Sequence, residues 1–283
     1  MNKVFSQQGT FLLGTDRSEH FVLNKPAQFS EYTVLFVSEG EGIFHADFAS
    51  FYFRGPVLLF STPQQSIYIK ENKPLKYSVL QFHGDFYCIE YHRNEVACNG
   101  LLFNNIYLEP SIPLTVDQHQ LYAQLMDQIT DELKQETPSE IVLRAYIQLF
   151  LAKSSSIKMN SMEKQELQKD EKMDQFRLLL EEHFLTLHKP SDYASLLAMT
   201  SNNFTKQCRK RFHKTPTQMI QERQILEAKK HLHLTRMSIK EIAFALKFQD
   251  EYYFSRVFKK RTNISPQTFR KTTGISIVAD LSS

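Results

Sequence analysis

The chain lacks most of the features that mark a secreted, membrane-spanning or catalytic protein. Its three cysteines, Cys88, Cys98 and Cys208, are too few and too scattered for a disulfide framework, so a reducing, cytoplasmic setting is expected. No apolar run approaches the ~20 residues needed to cross a bilayer. The opening MNKVFSQQGTFLLGTD has no apolar core followed by a small-residue cleavage site, so no secretory signal is expected. A Gly-rich phosphate loop, a Gly-x-Ser-x-Gly elbow and a His-Glu-x-x-His pair are all missing. A metal-dependent enzyme built on strands would need His-x-His on inward positions, and the strand region offers only His45 and His83, far apart. His231-x-His233 has the tight spacing but falls at a helix end, where cations answer the dipole and a structural role suffices. The expectation is a protein without cofactor and without enzymatic activity.

What remains is ordinary globular composition, 42% hydrophobic and 23% charged over 283 residues, a length that suits two domains. The net charge of +3 hides an asymmetry. Residues 1–171 carry 14 Lys/Arg against 21 Asp/Glu, a net of −7, whereas residues 172–283 carry 20 against 10, a net of +10. Two halves of opposite sign suggest two jobs, and the basic half suits a polyanionic partner, although a solvated helical surface would look the same.

From Phe29 to Phe82 short apolar or aromatic runs alternate with turn residues. EYTVLFV (31–37), IFHADF (43–48), FYF (51–53), VLLFS, SIYI and YSVLQFH predict at least six short strands. SEGEG (38–42), RGP (54–56) and ENKPLK (71–76) are the expected breaks between them. Many short antiparallel strands suggest a sandwich or closed barrel. Its aromatic interior could hold an apolar ligand, with Tyr32, Phe36, Phe44, Phe53 and Tyr68 as lining, or be a packed core without one.

Over 117–153, Leu121, Leu125, Ile129 and Leu133 recur every four residues, and Pro138 opens a second helix with Ile141, Ala145 and Leu149 as its stripe. Tyr122, Met126, Tyr146 and Phe150 widen the stripe, which suggests a homodimer interface over simple packing on the barrel. Lys153–Gln175 is polar and poor in large apolar residues, as expected of a flexible linker or a frayed helix.

The C-terminal part repeats itself. With an offset of 50, FTKQCRKRFHKTP (204–216) lies over FSRVFKKRTNISP (254–266), and with an offset of 49 Tyr193, Ala194 and Leu197 lie over Ile242, Ala243 and Leu246. Each copy reads as a short helix, a tight turn and a second helix. In the second copy Ser238 and Glu241 have capping-box spacing, Phe254, Val257 and Phe258 make an inward stripe, and Tyr252, Ser255, Arg256 and Lys259 point outward. This is a helix-turn-helix, present twice. PTQMIQERQILEAKKHLHL (216–234) between the copies reads as one helix holding them at fixed separation, as two helices in major-groove segments about 34 Å apart would need.

SIKEIAFALKFQDEYYFSRVFKKRTNISPQTFR (238–270) closely resembles the signature of AraC-type transcriptional regulators, and 190–237 resemble the rest of that family's DNA-binding domain. YTVLFVSEGEGIFHADF and FRGPVLLFSTPQQ are similar to its cupin-like sensing barrel. The resemblance implies an α+β chain of two domains. It has a cupin-like β-barrel over 1–112, a dimerising helical pair over 113–153 and a linker over 154–174. An all-α domain over 175–275 then carries two helix-turn-helix units joined by a linker helix. It implies a sequence-specific regulator of transcription, an activator among its roles, that binds double-stranded DNA as a homodimer, answers a small-molecule effector and meets RNA polymerase. The competing expectations are a barrel that only dimerises, and a metallocupin enzyme fused to a DNA-binding domain.

Outward residues of the two second helices are the expected DNA contacts: Ser201, Asn202, Asn203, Lys206 and Arg209 in the first, and Gln249, Asp250, Glu251, Tyr252, Ser255, Arg256 and Lys259 in the second. Asp250 and Glu251 also suit a helix N-terminus. Lys210, Arg211, Lys260, Arg261 and Arg270 are candidates for phosphates. The chain departs from the family at Ala198 and Lys247, where the turns usually hold Gly, at His213, where Gly is favoured, and at Cys208, where a large apolar residue is. If the turns need positive φ, each non-Gly residue costs about 1 kcal/mol. His83, Cys88, His92 and Cys98 form a separate cluster of soft-ligand types whose spacing matches no common zinc module, and buried cysteines with surface histidines are the favoured account over zinc binding or redox sensing.

Overall fold

The computed structural model describes residues 2–6, 9–17, 21–47, 49–87, 101–103, 106–165 and 170–275, which divide into two compact units. The N-terminal unit comprises Met1–Asn105 and Glu109–Met162, and the C-terminal unit comprises Ile106–Leu108 and Glu163–Ser283.

The N-terminal unit is built on one antiparallel eight-stranded sheet: β1 (Asn2–Phe5), β2 (Phe11–Arg17), β3 (Ala27–Gln28), β4 (Tyr32–Ala46), β5 (Ala49–Arg54), β6 (Val57–Ser61), β7 (Ser66–Phe82) and β8 (Ser111–Pro113). The order is β1-β2-β7-β4-β6-β8, with β3 against β7 and β5 against β4. Among the described residues β1 and β8 do not pair, so the barrel is an open one.

SEGEG is not a turn, and ENKPLK is not a break. Both lie inside long strands that run side by side. Val37 pairs with Tyr77 and Phe44 with Ile69, seven residues apart on β4 but eight on β7, so bulges between them absorb one extra residue. A one-residue slip exchanges the faces of a strand. Hence Val34 and Phe36 join one core while Phe44 and Ala46, of the same parity, join the other. Gly40 is what lets the strands stay together there. Its φ is +99°, and a Cβ would stand 2.3 Å from the Pro74 carbonyl oxygen.

Helices α1 (Val116–Leu133) and α2 (Glu140–Gln165) cover one face of the sheet. Thr115 and Gln118 form a capping box at the start of α1. Tyr122, Met126 and Phe150 are buried against the sheet, so these three of the residues that widen the apolar stripe pack within the unit. Helix α2 turns its expected stripe outward. Leu143, Ile147, Phe150 and Leu151 are its inward residues, while Ile141 is 81% and Leu149 42% exposed. The buried Tyr122 hydroxyl lies 2.9 Å from Ser154 Oγ, and burial pushes the phenol up to about 12.

The linker expected from residue 154 is helix instead. Ser154 and Ser155 are buried, and Ser154 donates to the Phe150 carbonyl at 2.8 Å. Lys158 runs inward so that its ammonium donates to the carbonyls of Glu109 and Ser111, each at 2.8 Å, and its pKa is lowered by burial. Small and long polar residues can pave a buried helix face when each polar atom finds a partner, which composition alone does not reveal.

Among the described residues the regular elements of the C-terminal unit are helices: α3 (Glu171–His183), α4 (Pro190–Leu196), α5 (Ser201–Phe212), α6 (Pro216–Leu234), α7 (Ile239–Ala245), α8 (Glu251–Thr262) and α9 (Pro266–Thr273). Two cores flank α6. Its first half gives Met219 and Ile220 to the core of α3, α4 and α5, and its second half gives Ile225, Ala228 and Leu232 to the core of α7, α8 and α9. At the junction Arg223 pairs with Glu181 at 2.8 Å and Glu227 at 2.9 Å, and its guanidinium lies 3.9 Å over the Phe184 ring. One continuous helix thereby belongs to both halves.

Candidate nucleic-acid interface

Each copy of the repeat is a helix-turn-helix: α4 and α5, then α7 and α8. Sequence equivalents occupy the same structural roles. Tyr193, Ala194 and Leu197 are buried in the first copy as Ile242, Ala243 and Leu246 are in the second. The turns close alike, with the Met199 amide donating to Ala194 and the Phe248 amide to Ala243, both at 2.9 Å. Thr200 caps α5 by accepting from the Asn203 amide, and Asp250 caps α8 by accepting from the Tyr253 amide at 2.7 Å. The capping box of Ser238 and Glu241 is present.

The turns do require positive φ: 50° at Ala198 and 60° at Lys247. His213 at 55° and Asn263 at 63° end α5 and α8 in the same left-handed region. Glycine suits such backbone best. Ala198→Gly and Lys247→Gly are each expected to stabilise the C-terminal unit by about 1 kcal/mol, less the entropy that glycine adds to the unfolded chain. Urea unfolding of each variant checks this, and a loss of stability in both would refute it.

Phe204 and Cys208 in α5, and Phe254 and Phe258 in α8, are buried, which turns the polar side of each helix outward. The Cys208 thiol packs 3.8 Å from Met173 Sδ, and burial pushes it up to about 12. Ser201, Asn202, Asn203, Lys206, Arg209, Lys210 and Arg211 are exposed on α5, and Tyr252, Arg256, Lys259 and Lys260 on α8. Gln249 and Asp250 are exposed just before α8, while Glu251, Ser255 and Arg261 are half-buried. Tyr252 is 74% exposed, a large aromatic side chain standing on a charged face.

Arg270 departs from this pattern. Its guanidinium donates to the carbonyls of Leu232 at 3.2 Å and Met237 at 2.6 Å, bracing the end of α6 against the approach to α7. These two bonds give it a structural task. His233 has a comparable task, its Nδ1 lying 3.0 Å from the Gly274 carbonyl.

The five aromatics expected to line one pocket do not converge. Tyr32 and Phe36 pack under the helices of the N-terminal unit, and Phe44 and Phe53 fill the core on the other face of its sheet. Tyr68 stacks on His45 with ring centroids 4.0 Å apart, and neither belongs to either core. Of the soft-ligand cluster, Cys88, His92 and Cys98 lie outside the described residues, and His83 is buried with Nδ1 3.6 Å from Asp85. Among the described residues no three His, Cys, Asp or Glu side chains are grouped to hold a metal.

Residues 193–272 match the family model of a helix-turn-helix domain. The chain is 36% identical over 76 residues to an uncharacterized HTH-type transcriptional regulator in the cgkA 5′ region of Pseudoalteromonas carrageenovora, covering 27% of this chain and 45% of that protein. It is 28% identical over 99 residues to the HTH-type transcriptional regulator ExsA of Pseudomonas aeruginosa, covering 35% of this chain and 36% of that one. The chain thus spans less than half the length of these curated relatives. A crystal structure of ToxT from Vibrio cholerae is similar at 14% identity and a TM-score of 0.41, covering 93% of this chain and 99% of that one.

Proposed function

We propose that this chain, whose residues 193–272 are an AraC-type helix-turn-helix domain, is a transcriptional regulator that binds double-stranded DNA with α5 and α8. The observation that carries the reading is the duplicated unit with its exposed, basic second helices. A comparison of the copies divides the labour. At matched positions Arg209 and Lys259, Lys210 and Lys260, and Arg211 and Arg261 keep their charge. Sequence-independent phosphates need only that. Asn202 and Tyr252, and Asn203 and Tyr253, differ, as residues facing different bases would, and Lys206 and Arg256, cations nearer the starts of the helices, join them by position. Ser201, Gln249 and Ser255 complete the base-reading set, while Asp250 and Glu251 stabilise the start of α8. Selection of the full chain against randomised duplexes tests this: the expected winner carries, once for each protomer, an asymmetric half-site with two informative segments a helical turn apart, and no enrichment over bulk DNA would end the proposal.

The N-terminal unit serves dimerisation and control in the same reading. Ile141, Ala145 and Leu149 form an exposed apolar stripe on α2 that a second copy would cover. A small-molecule effector, contact with RNA polymerase and activation of transcription belong to this proposal, as does a cytoplasmic location; among the described residues no helix is long and apolar enough to cross a membrane. One observation favours the version in which this unit only dimerises: the face of the sheet away from the helices is filled by its own Phe44, Phe51, Phe53, Ile67 and Ile69. Sedimentation of an Ile141→Glu, Leu149→Glu variant is expected to show monomers where the parent chain shows dimers.

A further inference from the structure

The first helix-turn-helix unit is not closed by its own stretch of sequence. Ile106, remote in the chain, is buried in its core beside Phe176, Phe204 and Phe212. The carbonyl oxygen of Ile106 accepts a hydrogen bond from Lys214 Nζ at 3.0 Å, and the same ammonium pairs with Glu222 at 2.6 Å. Next to it the Tyr107 hydroxyl donates to Glu181 at 2.6 Å. The Tyr107 ring meets Phe212 edge-on with centroids 6.1 Å apart, and the Arg177 guanidinium lies 5.7 Å over it.

The second copy shows that this arrangement is particular to the first. The offset of 50 sets Thr262 against Phe212 and Ile264 against Lys214. Thr262 donates within its own copy, its Oγ1 lying 2.9 Å from the carbonyls of both Phe258 and Ile264. The second unit therefore finishes its loop with a hydroxyl and an isoleucine. The first holds a buried lysine there, and a buried ammonium is costly unless acceptors surround it.

We infer that Arg177, Glu181, Phe212 and Lys214 form a receptor surface for Ile106–Leu108 of the same chain, and that seating this peg completes the first helix-turn-helix unit. The peg enters on the core side of α5 and leaves Ser201, Asn202, Lys206 and Arg209 exposed. It therefore supports the DNA-facing surface without covering it. The core that holds α5 thus takes in a segment about seventy residues upstream of the rest of it, whereas the core that holds α8 takes in no residue before Leu185. In its DNA consequence the inference rests on the proposed function; in its structural consequence it stands alone.

Amide hydrogen exchange of the full-length chain, with and without Tyr107→Ala, tests it. Exchange over 171–183 and 201–212 is expected to rise by more than about tenfold, with 239–262 unchanged. DNA affinity should fall together with that protection. Tyr107→Phe, which keeps the ring and deletes only the hydroxyl, should give a smaller rise in the same peptides. Unchanged exchange in the first unit, or a uniform rise through both units, would overturn the inference. Selective exchange in a chain that binds no DNA would instead leave the peg standing and remove the proposed function.

Discussion

Phe204→Ala is expected to unfold the first helix-turn-helix unit while the second stays folded, and Phe254→Ala the reverse. The two residues are equivalents in the repeat, and both are fully buried. Phe204 packs edge-on against Phe176 at 4.8 Å, and Phe254 packs edge-on against Phe248 at 5.2 Å and tilted against Phe258 at 5.9 Å. Cutting a buried phenylalanine to alanine costs about 3–5 kcal/mol, because the transfer free energy is lost and a cavity remains. A domain is stable by only about 5–15 kcal/mol in total, and each half holds a fraction of that. The effects stay local because the side chains belong to different cores, joined through α6. Exchange protection of 201–212 and 251–262, followed through a urea series, separates the halves. A single transition shared by both segments in both variants would show that α6 and Arg223 fuse the cores into one cooperative unit, and the prediction would fail.

How far the sequence could be read follows from what each signal encodes. The repeat was legible because burial leaves a trace at fixed spacing: Tyr193 over Ile242, Phe204 over Phe254, Thr215 over Ser265 at a helix cap. The non-glycine turns at Ala198 and Lys247 were equally visible, and both carry the positive φ that the motif demands. The sheet was harder. Glycine and charge mark turns, but they also mark bulges, and Gly40 with its neighbours bends a strand without ending it. Helix α2 defeats periodicity because it is apolar on two sides, so Ile141 and Leu149 look as inward as Leu143 and Ile147. Arg270 and Lys158 resemble surface cations until the carbonyls they reach are known. The seating of Ile106 and Tyr107 has no local signature at all, since its partners lie from Phe176 to Lys214.

The affinity for DNA is expected to fall about a thousandfold between roughly 50 and 200 mM monovalent salt. Six basic residues, Arg209, Lys210, Arg211, Lys259, Lys260 and Arg261, sit in the last turns of α5 and α8. Each phosphate neutralised releases condensed counterions, and the logarithmic slope of the binding constant is about −0.9 per contact, so six contacts give a slope near −5. Substitution separates the two kinds of contact. Lys210→Ala should weaken binding to every duplex alike and make the slope shallower by about 1. Tyr252→Ala should leave the slope as it was and relax the preference at one position by about 1–3 kcal/mol, because an aromatic contact to a base edge releases no counterion. Anisotropy titrations of both variants across a salt series, on the selected site and on a scrambled duplex, decide the matter. If Tyr252→Ala changed the slope and Lys210→Ala changed the preference, the assignment of phosphate and base contacts would have to be reversed. If neither changed either, the DNA would lie on some other face of the C-terminal unit.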